Sequence, residues 1–118
     1  MLATDKAWLD NFKNYNSGCN SNANITAISN TKKLSVCSAS ADSTLGLSAG
    51  IPTGYANELH ILIHNTGNSA ITITIPSTLA SIQTINMMGE NLEISADKWG
   101  EINILTDGST YYVRHEAI

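Results

Sequence analysis

Asn57-Glu58-Leu59-His60-Ile61-Leu62-Ile63-His64-Asn65-Thr66-Gly67-Asn68-Ser69-Ala70-Ile71-Thr72-Ile73-Thr74-Ile75-Pro76 is the stretch whose reading decides the fold. Leu59, Ile61 and Ile63 alternate with Glu58, His60, Leu62 and His64, and Ile71, Ile73 and Ile75 alternate with Thr72 and Thr74. A period of two places each aliphatic set on one face of an extended strand. Asn65 to Ser69 supplies a Gly and two Asn, which accept positive φ at little cost. The pattern therefore predicts two antiparallel strands joined as a hairpin with one shared apolar face. Pro76 has no amide hydrogen to give to a ladder and ends the second strand.

The same alternation extends in both directions. Downstream, Leu92 and Ile94 mark one strand, and Ile102 and Ile104 another. Asp107-Gly108 is a strong hairpin turn, after which Tyr111 and Val113 are expected inward and Tyr112 and Arg114 outward. Upstream, Ile25 and Ala27, then Leu34 and Val36, suggest weaker strands near an edge that Lys32 and Lys33 would guard against unwanted pairing. Ser38 to Tyr55 is rich in Ser, Ala and Gly, with Leu45, Leu47 and Ile51 as its large aliphatic anchors, and reads as a long crossover between sheets. About seven or eight short strands separated by Gly, Asn or Pro predict an all-β fold, an antiparallel β-sandwich of jelly-roll type over residues 19–118.

One amphipathic helix is expected ahead of the sandwich, within residues 1–18. Thr4 can cap it, Asp5 suits its first turn, and Trp8, Leu9, Phe12 and Tyr15 share a stripe. A helix of about three turns is marginal alone, so the stripe must dock, either on its own sandwich or on equivalent helices or a host particle.

Composition narrows the function. The chain has 118 residues, enough for one domain with its own core. Charged residues make up 14%, against about 25% in an ordinary globular protein. Ser, Thr and Asn take their place and give a polar but weakly ionic surface. A net charge of −4 with scattered basic residues argues against a nucleic-acid groove. No apolar run approaches the roughly 18 residues of a membrane span, and Met1 to Phe12 has no signal-peptide core, which predicts a cytoplasmic product that leaves the cell only by a route such as lysis. Cys19 and Cys37 lack C-x-x-C spacing; a structural disulfide between them is the alternative, but cytosolic synthesis favours buried or idle thiols.

Candidate chemistry is sparse. His60 and His64 lie four residues apart on a strand, roughly 13 Å, too far to share one ion. They are expected to face solvent or another subunit. No nucleophile elbow, metalloprotease helix or phosphate loop is present, so neither catalysis nor a cofactor is expected. Trp99 and Tyr112 are candidates for stacking on sugar rings, although Trp99 is expected rather to cap one end of the core. Tyr112 beside Arg114 suits contact with another chain, because Tyr and Arg are enriched in interface hot spots.

Three segments, Asn57 to Gly67, Ala70 to Pro76 and Trp99 to Arg114, resemble small β-sandwich domains of tailed-phage virion proteins, in particular head-fibre and tail-fibre components of phages of gut Bacteroides-type bacteria. The resemblance implies a virion structural protein made in the bacterial cytoplasm, a head fibre or capsid-decorating subunit that forms a homo-oligomer, most often a trimer, on capsid or tail proteins. It implies no cofactor. Trp8, Leu9, Phe12, Tyr15, His60, Leu62, His64, Tyr112 and Arg114 are the expected particle or oligomer contacts. The alternative is a carbohydrate-binding module or receptor-binding fibre tip that uses Trp99 and Tyr112 on a host surface glycan.

Overall fold

The computed structural model describes residues 16–19, 24–28, 34–47 and 56–118. Among the described residues eleven strands run in order: β1 Asn16–Cys19, β2 Asn24–Ile28, β3 Leu34–Ala39, β4 Ser43–Leu47, β5 Asn57–Asn65, β6 Ile71–Thr74, β7 Thr78–Leu79, β8 Ile82–Asn86, β9 Leu92–Ile94, β10 Trp99–Thr106 and β11 Thr110–Ala117. They form a mixed β-sandwich whose larger sheet is curled. The seven-stranded sheet has the order β1-β3-β5-β10-β11-β8-β7, and the four-stranded sheet β2-β4-β6-β9. The edge strand β7 reaches β4 of the opposite sheet and helps to close the sandwich along that side. The helix expected over residues 1–15, with Trp8, Leu9, Phe12 and Tyr15, lies outside the described residues.

The first six strands do not follow the antiparallel plan expected from the sequence. β1, β3 and β5 pair in parallel in the large sheet, and β2, β4 and β6 pair in parallel in the small one. Successive strands therefore alternate between the two sheets, and the described connections β3–β4 and β5–β6 cross from one sheet to the other as arches. The stretch 57–76 is one such arch rather than a hairpin. β5 pairs with β3 and β10, and β6 with β4 and β9. Its two aliphatic sets do share a core, but they meet across it, face to face, instead of lying side by side in one ladder.

Asn65 makes the arch. It continues the inward parity of Leu59, Ile61 and Ile63 and is fully buried. Its Nδ2 donates to the Ser69 carbonyl at 2.8 Å and the Ile94 carbonyl at 3.0 Å, and its Oδ1 accepts from the Gly67 amide at 2.9 Å. A buried polar group is tolerated when its bonds are made, and here one side chain bonds three backbone groups, two of them in the connection itself and one at the end of β9. The arch stacks on the preceding one, since the Thr66 amide donates to the Ala39 carbonyl at 2.9 Å. A Cβ on Gly67 would stand 3.3 Å from the Ser40 carbonyl oxygen, so the stacking favours glycine there.

The expected crossover over Ser38 to Tyr55 holds strand β4, whose Leu45 and Leu47 are buried in the core. β7 and β8, also unexpected, turn on Ala80 and Ser81 at φ 48° and 66°. That mirror-image turn normally advertises itself with Asn or Gly, and here it does not. The final hairpin is as expected. β10 and β11 pair antiparallel from Gly100 against Ala117 to Thr106 against Tyr111, and Asp107 Oδ1 accepts from the amides of Ser109 and Thr110. Those amides hold the Asp107 pKa below its usual value of 3.8. Tyr111 and Val113 are fully buried, while Tyr112 and Arg114 face outward.

Cys37 is buried and disulfide-bonded, which corrects the expectation of idle thiols. The chain has two cysteines, and Cys19 is the residue opposite Cys37 in the register of β1 against β3.

Candidate functional site

The outer face of the seven-stranded sheet is where the polar alternates of the core strands collect. Register fixes their rows. Leu34, His60, Asn103 and Arg114 form one row across β3, β5, β10 and β11. Val36, Leu62, Glu101 and Glu116 form the next, and Glu58, Leu105, Tyr112 and Ile85 another. Ser38, His64 and Trp99 lie towards the opposite end of the sheet.

His60 is the centre of a hydrogen-bond chain. Its Nε2 donates to Glu58 Oε1 and its Nδ1 to Asn103 Oδ1, both at 2.5 Å, and Asn103 Nδ2 donates to Glu101 Oε1 at 3.1 Å. Only a protonated imidazole can donate from both nitrogens. Burial pulls the His60 pKa down, but the hydrogen bonds to Glu58 and Asn103 and the charges of Glu58 and Glu101 outweigh it, and the net direction is upward from 6.5.

Beside this chain lies an open concavity of about 720 Å³ whose lining includes Glu58, His60, Asn103, Glu101, Tyr112 and Arg114. Leu105 and Met88, both close to half exposed, give it an apolar wall. Arg114 makes no ion pair among the described residues, although Glu101 and Glu116 stand in the neighbouring row.

Trp99 is on the outer face and does not cap the core. Its indole stacks on the His64 ring at 4.7 Å between centroids and 7° between planes, and His64 Nε2 bonds Asp97 Oδ1 at 2.9 Å. The two sugar-stacking candidates are not brought together. Trp99 pairs with His64 while Tyr112 pairs with Leu105, six residues further along β10 and so about 20 Å away. His60 and His64 likewise have separate partners. Among the described residues, no three His, Cys, Asp or Glu side chains gather into a metal-holding group. His115 is buried, its Nε2 donating at 2.6 Å to the Glu90 carbonyl, and it anchors the turn before β9.

Glu58, Glu101, Asn103, Leu105, Met88, His115 and Glu116 complete the concavity and did not emerge from the sequence as site residues. Alternation identifies Glu101, Asn103 and Leu105 as outward positions of their strand. What it does not supply is that β5 and β10 are neighbours.

No protein-family model, curated protein or solved structure matches the chain.

Proposed function

We propose that this chain is a structural subunit of a tailed-phage virion, a head fibre or capsid-decorating protein, acting by self-assembly and attachment and not by catalysis. The resemblance of residues 57–67, 70–76 and 99–114 to phage fibre domains supports the reading, and the β-sandwich is consistent with it. The observation that carries it is an aliphatic cluster on the wrong side of the sheet. Leu34, Val36 and Leu62 stand on the outer face of the parallel pair β3 and β5, with Val36 directly beside Leu62 and Leu34 beside His60. Leu34 is 37% exposed. Apolar side chains grouped on an outer face gain from being covered by a neighbouring subunit, which removes their area from water. The partners are then other copies of the chain, in a homotrimer, together with capsid or tail proteins.

Multi-angle light scattering tests this. A trimer independent of concentration is expected, and Leu62→Asp should convert it to a monomer with an unchanged circular dichroism spectrum. A wild-type monomer at micromolar concentration contradicts the reading. Mass spectrometry of purified virions should then find the chain at high copy number.

A second reading, a receptor-binding fibre tip or carbohydrate-binding module, is favoured by one specific feature, the lined concavity on the β10–β11 half of the same sheet.

A further inference from the structure

We propose that the concavity binds a neutral oligosaccharide through Glu58, Asn103, Glu101, Tyr112 and Arg114. The inference rests on the second reading above and is independent of virion membership. Its volume of about 720 Å³ falls within the roughly 300–1,000 Å³ of small-ligand sites. The shape is open, which suits a segment of a longer glycan better than an enclosed monosaccharide.

The charges select the ligand class. Three carboxylates, Glu58, Glu101 and Glu116, share the lining with the Arg114 guanidinium and the His60 imidazolium. An anion meets the carboxylates, and a cation meets Arg114 and His60. A neutral polyol meets no like charge, and its hydroxyls can donate to the carboxylates and accept from the guanidinium, giving charge-assisted hydrogen bonds at both. Glu58 and Glu101 each use Oε1 within the chain through His60 and Asn103, leaving Oε2 without a bond among the described residues. Arg114 and the Tyr112 hydroxyl are likewise unengaged.

The apolar groups fit the same ligand. Tyr112, Leu105 and Met88 form a wall against which the C–H face of a sugar ring can pack. The hydrogen bonds from Glu58 through His60 and Asn103 to Glu101 hold those four polar side chains in place before any ligand arrives, which lowers the ordering cost of binding. Trp99, on its own stack with His64, is not part of this site.

The test uses the purified full chain on an array of neutral β-glucan, mannan, galactan and xylan oligosaccharides, with uronic-acid oligosaccharides and chitosan oligomers as charged arms. Any hit is titrated by calorimetry. Binding to at least one neutral series with a Kd of about 1 mM or tighter is expected, weakened about tenfold or more by Tyr112→Ala and by Arg114→Ala. Both positions are outward-facing, and circular dichroism checks that each variant is folded. Binding confined to the charged arms, no binding at all, or binding unchanged in both variants would overturn the proposal. A monomer that binds a neutral glycan would remove the self-assembly reading and leave this site standing, whereas a trimer that binds none would do the reverse.

Discussion

Two connections in this chain look alike in sequence and are built in opposite ways. Asn65 to Ser69 and Asp107 to Ser109 each join two alternating strands, and each offers Gly beside Asn or Asp. The second is a hairpin in which an exposed Asp107 carboxylate ties down two amides and the strands pair with each other. The first is an arch in which a buried Asn65 amide bonds the backbone on both sides and sends the strands to different sheets. The lesson is that a turn's topology depends on where its polar side chain finds partners. Outside the core it closes a hairpin, and inside the core it bridges two layers. The consequence for function is direct, because the arch leaves β5 free to lie between β3 and β10 and sets His60, Leu62 and His64 in the middle of the outer face.

The contrast is most exposed to attack at Asn65. Asn65→Ala strips three bonds from the backbone, one of them to a buried carbonyl, and should destabilise the protein by about 4 kcal/mol in urea denaturation. Asp107→Ala should cost clearly less in the same assay, and equal losses would erase the distinction drawn here. Next comes the disulfide, which belongs to the arch half alone. Reduction, or Cys37→Ser, should cost about 3 kcal/mol, seen as a lower Tm in dithiothreitol. A third probe sits where the two halves meet. A Cβ on Gly100 of β10 would come within 2.7 to 2.9 Å of the Ile94 and Leu92 side chains of β9, so Gly100→Ala should cost about 2 kcal/mol by forcing those ends to repack.

The smallest effects are in pH and have opposite signs. Asp107 has a depressed pKa, so its contribution is complete above 3.8 and is lost as pH falls through the depressed value. The Tm gap between wild type and Asp107→Asn should close in acid. His60 has a raised pKa, so its contribution is complete below 6.5 and is lost as pH rises through the raised value. The gap between wild type and His60→Gln should close towards alkaline pH. A gap that widens in either direction would mean that the assigned partners are wrong.

The β class, the core parity of Leu59, Ile61, Ile63, Ile71, Ile73, Ile102, Ile104, Tyr111 and Val113, and the final hairpin are legible in the sequence, because a period of two records burial residue by residue. Pairing is not recorded in that way. A hairpin and an arch impose the same alternation, and the one hint was Asn65 occupying an inward position at the end of β5. β4 hid among Ser, Ala and Gly because Leu45 and Leu47 are its only large aliphatic side chains. The β7–β8 turn hid because Ala80 and Ser81 take conformations that usually require Asn or Gly. The site shows the same split. Tyr112, Arg114 and His60 were found by their outward parity, whereas Glu58, Glu101 and Asn103 became site residues only through the adjacency of β5 and β10.

That adjacency is the central claim, and backbone NOEs on a uniformly labelled sample test it most directly. Cross-strand contacts linking Ile61 with Ile102 and Leu59 with Ile104 are expected. A ladder of contacts linking residues 59–63 with residues 71–75 would contradict it, restoring a hairpin and dismantling the outer face on which the proposed function stands.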